Sequence, residues 1–147
     1  MRTPIGKILL CADDAGICAL RFHALQDEES DNPLLLQAEQ ELTEYFAGRR
    51  RRFSVPLSIH GTDFQRKVWQ ALAEIPYGTT AGYADIAQRI GNPRACRAVG
   101  MANHVNPLPI FLPCHRVVGK NGKLTGYAGG LEMKTLLLDL EREHAEI

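Results

Sequence analysis

Apolar and polar positions alternate in short runs at the start of this chain and recur at helical spacing for most of its length, with a change of character at about Gly61. Ile5 to Cys11 and Ile17 to Phe22 are apolar runs joined by Asp13-Asp14-Ala15-Gly16, a turn signal, and together they predict a β-hairpin. Gln26 to Pro33 is polar and acidic, as an exposed loop is. From Leu34 to Ala47, Leu35, Ala38, Leu42, Tyr45 and Phe46 mark one face of a helix that stops at Gly48, and Phe53 to Ile59 offers a further strand. Beyond the hinge, Thr62 and Gln65 are spaced as a capping box, ahead of a helix with Phe64, Val68, Leu72 and Ile75 on one face. Pro76-Tyr77-Gly78 ends it. A second helix is expected over Thr80 to Ile90 with Gly91 as its stop, then a turn at Asn92-Pro93 and a third short helix over Arg94 to Asn103. Helix, tight turn, helix is the outline of a helix-turn-helix unit. The apolar Ile110-Phe111-Leu112 reads as buried. The glycine-rich Gly126 to Gly130 leads into a last helix from Leu131 to about Glu143, with Met133, Leu136, Leu137 and Leu140 on one side. The pattern therefore predicts an α+β chain: a small α/β lobe over 1–59 and a mainly helical domain over 60–147.

Composition narrows the class. A chain of 147 residues, 45% hydrophobic and 23% charged, is an ordinary folding sequence with room for one domain and a small lobe. No apolar run approaches the roughly 18 residues that span a bilayer, and the N-terminus lacks a signal-peptide layout, so a soluble cytoplasmic monomer is expected. In that reducing setting Cys11, Cys18, Cys96 and Cys114 read as free thiols, the first two as small buried hydrophobes on strands. Net charge is zero, but from Ile86 to Leu131 there are six Lys or Arg and no Asp or Glu. Such a cationic segment in an otherwise acidic chain points to a polyanionic partner. Within it, Arg94 and Arg97 interleave with Ala95, Ala98 and Ala102. That pattern serves helix-on-helix packing as well as close docking in a DNA groove, where an arginine is free to enter the stack.

The candidate chemistry is at Cys114-His115-Arg116. A free thiol with a pKa of about 8.5 is mostly protonated at pH 7, so a nucleophilic cysteine needs surroundings that favour the anion, and this segment supplies only positive charge. Neighbouring side chains on extended backbone point apart, so His115 is expected to act through a turn or a bridging water. A carboxylate to hold the imidazole would come from the last helix, which offers Glu132, Asp139, Glu141 and Glu143. The same residues also suit a buried structural thiol beside a core histidine. A zinc site of Cys96, His104, Cys114 and His115 fits less well, because adjacent Cys-His lacks ordinary ligand spacing. No metal or cofactor is expected.

Pro113-Cys114-His115-Arg116-Val117 resembles the active-site signature of the O6-alkylguanine-DNA alkyltransferases, also called methylated-DNA–protein-cysteine methyltransferases. The similarity continues through Gly91-Asn92-Pro93, Arg97-Ala98-Val99-Gly100, Asn106-Pro107, Gly126-Tyr127-Ala128-Gly129-Gly130-Leu131 and Lys134, over about residues 62 to 142. It implies a ribonuclease H-like remnant followed by a winged-helix-like domain with a helix-turn-helix and an active-site loop. It further implies repair of double-stranded DNA by direct damage reversal: an irreversible, single-turnover transfer from O6 of guanine, with O4 of thymine as a second candidate, to a cysteine. In that reading Cys114 is the nucleophile, His115 the base reached through water, Glu141 the carboxylate orienting it, Asn106 the brace of the preceding turn, and Tyr83 a phosphate contact that assists protonation of guanine. Arg97 would fill the gap left by a flipped nucleotide, with Arg94, Gln65 and Ala98 also on DNA. Pro109, Val117, Tyr127 and Ala128 would hold the extruded base. The chain departs from the family pattern at Cys96, where alanine is usual, at His104, commonly glycine, and in a short first lobe without the zinc ligands of some relatives. A DNA-binding module without chemistry and a multiple-turnover cysteine hydrolase are the competing readings.

Overall fold

The computed structural model describes residues 1–25, 30–127 and 129–145. Its contacts divide the chain between His60 and Gly61. In the first part, β1 (Arg2–Thr3), β2 (Gly6–Ala12) and β3 (Ile17–Phe22) form an antiparallel sheet in that order, with Leu10 opposite Leu20. Asp13 sets the hairpin turn by accepting hydrogen bonds from the Ala15 and Gly16 amides. Helix α1 (Pro33–Phe46) begins at Asn32, whose side chain accepts from the Leu34 amide at 2.8 Å, with Pro33 in the first turn. It buries Ala38, Leu42 and Tyr45.

Two expectations for this part are corrected. The strand expected over Phe53 to Ile59 is reduced to a single bridge between Leu57 and Ile17, because the preceding backbone is bonded instead to a buried acid. Glu41 on α1 accepts from the Ser54 amide at 2.8 Å and the Val55 amide at 3.1 Å. Burial pushes its carboxyl up, but the bonds from Gln37, Val55 and Ser54 outweigh that and leave it below its ordinary value. Cys11 and Cys18 are only half-buried, since β2 and β3 are covered on one side; all four cysteines are free thiols.

The second part is built on helices. The capping box is present at α2 (Asp63–Ala73): the Thr62 hydroxyl accepts from the Gln65 amide, and the Gln65 side chain accepts from the Thr62 amide. The expected second helix begins later than its pattern suggested, as α3 (Tyr83–Arg89), because Ala81–Gly82 is a short strand, β4. Helix α4 (Cys96–His104) follows the turn at Asn92-Pro93 and packs on α2 and α3 through Val99 and Ala102. The Trp69 indole donates to the Ala102 carbonyl at 2.9 Å and locks α4 in rotation. β5 (Val117–Val118) runs parallel to β4, and α5 (Leu131–Ala145) closes the part. On α5 the inward face is Met133, Lys134, Leu137, Leu138 and Glu141, while Leu136 is exposed. The apolar stripe read from the sequence was thus rotated slightly, because two charged residues take core positions.

Candidate active site

Cys114 follows a backbone corner that a small polar side chain builds. Asn106 Nδ2 donates to the Leu112 carbonyl at 2.8 Å and its Oδ1 accepts from the Leu108 amide at 2.9 Å, closing the 106–112 turn from within. Inside that turn Ile110 sits at φ 76°, a conformation that costs a β-branched residue on the order of 1–3 kcal/mol and persists only where its surroundings enforce it. Cys114, His115 and Arg116 then form one 3-10 turn rather than extended backbone, so the histidine and its neighbours reach the same buried region.

There the last helix meets them. His115 Nε2 lies 2.7 Å from Glu141 Oε2, and both side chains are fully buried. Arg116 grips the same carboxylate in a fork, Nε to Oε1 at 2.8 Å and Nη2 to Oε2 at 2.9 Å, while Nη1 donates to the Ile75 carbonyl at 2.7 Å. Gly78 at φ 78° adds its amide to Glu141 Oε1. Burial pushes the Glu141 carboxyl up, but hydrogen bonds from His115 and Arg116 prevail and hold it at about 2. His115 is shifted the other way: burial lowers it below its ordinary value, against the pull of Glu141. A neutral imidazole beside an anionic acceptor carries its proton on Nε2, which leaves the Nδ1 lone pair available. Among the described residues, Nδ1 has no hydrogen-bond partner.

The sulfur differs from expectation. Cys114 is 3% exposed, and burial pushes its thiol up to about 11 despite the Asn106 bond and the Lys134 charge, both of which draw it down. The resting side chain is a thiol, not the thiolate anticipated from the local positive charge, because desolvation outweighs those charges. The Tyr127 hydroxyl is pushed well above the ordinary tyrosine value, chiefly by burial and then by its closeness to Cys114. Pro109 and Val117 are buried in the same part, and Ala128 lies outside the described residues.

An open cleft of about 690 Å³ lies alongside, between α4, the start of α3 and the 119–122 turn, with Tyr83, Asp85, Cys96, Arg97 and Gly100 on its walls. Cys114, Pro109, Val117 and Tyr127 do not line it. Tyr83 connects the two regions. The β4–β5 pairing sets it beside the strand that follows the cysteine turn, its ring faces the cleft, and its hydroxyl is 2.6 Å from Thr125 Oγ1. Thr125 is tied in turn to Lys134, which donates to the Thr125 carbonyl at 3.3 Å and the Val117 carbonyl at 2.6 Å. Arg97 and Ala98 are exposed on α4 and Arg94 in the turn before it, which shortens the helix expected from Arg94, while Gln65 is spent on its cap at the start of α2.

Three participants were given no site role from the sequence. Arg116 read as part of a cationic segment, yet its charge is neutralised internally. Thr125 gave no signal. Lys134 could have been found, since it shares one stripe of α5 with Leu137 and Glu141 at spacings of three and four. Among the described residues no cluster of His, Cys, Asp or Glu is placed to hold a metal ion, and no helix is long and apolar enough to cross a membrane.

Comparison with known proteins follows the same division. Residues 1–59 match the family model of the 6-O-methylguanine DNA methyltransferase ribonuclease-like domain, and residues 63–143 that of its DNA-binding domain. The constitutive methylated-DNA–protein-cysteine methyltransferase of Bacillus subtilis is 51% identical over 95% of this chain and 92% of its own length. The enzyme of the same name from Methanosarcina acetivorans is 49% identical over 95% and 94%. The crystal structure of Mycobacterium tuberculosis O6-methylguanine methyltransferase superimposes with a TM-score of 0.88 at 44% identity, covering 98% of this chain and 91% of that one, and a structure of that protein in complex with DNA matches equally. With both domain models matched in order and relatives of this identity along nearly all of its length, the chain belongs to the O6-alkylguanine-DNA alkyltransferase family, the methylated-DNA–protein-cysteine methyltransferases.

Proposed function

We propose that Cys114 is the residue that accepts the alkyl group, with His115, Glu141, Asn106 and Tyr83 dividing the work of the transfer. The overall activity is that of the family: DNA repair by direct reversal, in which an alkyl group leaves O6 of guanine and remains on a cysteine. The observation that supports the residue assignment is the buried His115–Glu141 pair, which leaves one imidazole nitrogen free to take a proton next to a cysteine.

Glu141, held anionic by Arg116, fixes the tautomer of His115. Through a bridging water, Nδ1 takes the Cys114 proton, which a buried thiol at about 11 does not give up unaided. The sulfur attacks the alkyl carbon, forming the S–C bond as the C–O6 bond breaks, and the electron pair passes to guanine. Tyr83 supplies a proton to the departing base and regains one through solvent from His115. The product is a thioether, which has no ready leaving group, so one protein repairs one lesion.

Guanine O6 is out of reach inside a duplex, so the nucleotide is extruded, at a cost of a few kcal/mol. Arg97, exposed on α4, fills the space it leaves; Arg94 and Ala98 contact the same groove, and Gln65 borders it. The base enters past Tyr83 and Thr125, whose hydrogen bond closes the way in the resting protein, and rests among Pro109, Val117, Tyr127 and Ala128. The cytoplasm is its place of action.

The test is a count. Incubated with excess duplex containing O6-methylguanine, the protein repairs one lesion per molecule and then stops, and Cys114→Ser repairs none. Continued repair beyond one equivalent would establish a hydrolase, and tight binding without repair would establish a damage-recognition module.

A further inference from the structure

The exposed side of α4 carries a feature that neither the alkyl transfer nor the arginine contact uses. Helix α4 turns Val99, Ala102 and Asn103 inward and is fixed in rotation by the Trp69 bond to Ala102. At 3.6 residues per turn, Arg97, Met101 and His104 fall within about 60° of one another on the opposite side. Met101 stands near the middle of that face, 65% exposed, with Val105 exposed one turn further on. Arg94 is exposed in the turn before the helix, and no acid occurs on the helix. Single exposed apolar residues are common on protein surfaces, but this one occupies the centre of a cationic helix face, flanked by arginine on one side and histidine on the other.

We propose that Met101 is an apolar wedge that enters the duplex beside the lesion and holds open a base step next to the nucleotide that Arg97 replaces. Unbranched apolar side chains inserted from the minor groove unstack such steps and kink the helix. Met101 lies four positions beyond Arg97, about 6 Å along the helix axis, which matches roughly two base-pair rises of 3.4 Å. The arginine and the methionine therefore act within about two base pairs of each other, the first replacing hydrogen bonds and stacking lost on extrusion, the second weakening the stack that resists it. Met101 sets where along the duplex the distortion falls and lowers the cost of flipping, without contact with the sulfur. The inference rests on the flipping role given above to Arg97.

The experiment uses the full chain and duplexes carrying O6-methylguanine with the fluorescent base 2-aminopurine placed one, two or three pairs to either side. Binding of the unaltered protein raises fluorescence at one of these positions on one side, Met101→Ala abolishes that rise, and Met101→Leu keeps it. Met101→Ala also slows single-turnover repair of duplex about tenfold more than reaction with free O6-benzylguanine, and Met101→Leu returns the ratio to within about twofold. Repair of duplex with no fluorescence change at any flanking position would overturn the wedge while leaving extrusion by Arg97 intact. Equal slowing on duplex and free base would overturn it as well. If Arg97→Ala repairs duplex and free base at unaltered rates, the flipping reading itself falls, and the wedge with it.

Discussion

The Cys114 sulfur is the clearest case of a group that stood out in the sequence while its state did not. Cys114 stood out because histidine and arginine follow it in an acid-free segment, but whether a thiol ionises depends on how much water it keeps, and here burial outweighs every nearby positive charge. Arg116 shows the converse. Its charge pointed outward to phosphate in the sequence, whereas the fold spends it on Glu141, a partner 25 residues away on another element. That partnership makes Glu141→Gln informative: it strands the Arg116 charge in the interior, so stability is expected to fall by about 3 kcal/mol in urea unfolding. It also frees the His115 ring to take the wrong tautomer, so the single-turnover rate is expected to fall at least about a hundredfold. With His115 in its proposed role of neutral base and its folded pKa below the ordinary 6.5, repair is expected to be level through neutral pH and to decline only in acid below that value, as rate measurements across pH would record.

At the scale of elements, the helices were legible because their signals are local: a capping box at Thr62, Gly48 after α1, glycine after α3. The β4–β5 pair was not, since two-residue strands leave no periodicity and the pairing joins positions 36 residues apart, yet it sets Tyr83 beside the cysteine turn. The Tyr83–Thr125 bond lies on that path. Thr125→Val removes it without opening a large hole, and alkylation of Cys114 by free O6-benzylguanine is expected to quicken several-fold; an unchanged rate would mean the bond does not bar the way. On α4, Arg97→Ala is expected to slow repair of duplex far more than reaction with free base, because only the duplex requires extrusion. An equal loss on both would refute the flipping role.

Across the whole molecule, the break near Gly61 was legible as a change in pattern, while the charge network buried in the second part was not, because its members come from three distant stretches of chain. That network sets the response to acid. The folded pKa of His115 is depressed, so the unfolded chain takes up that proton first and stability begins to fall as pH drops below about 6.5. Glu141, at about 2 against an ordinary 4.5, contributes fully above 4.5 and loses its contribution as pH falls from there toward 2. Thermal unfolding from pH 8 to pH 3 is therefore expected to show a decline in two stages, and Glu141→Gln to flatten the lower one. The central claim concerns where one carbon ends up. After reaction with duplex bearing a deuterated methyl group at guanine O6, peptide mass mapping is expected to find the whole label on Cys114; label on Cys96 or another residue, or repaired guanine with no label on the protein, would contradict it.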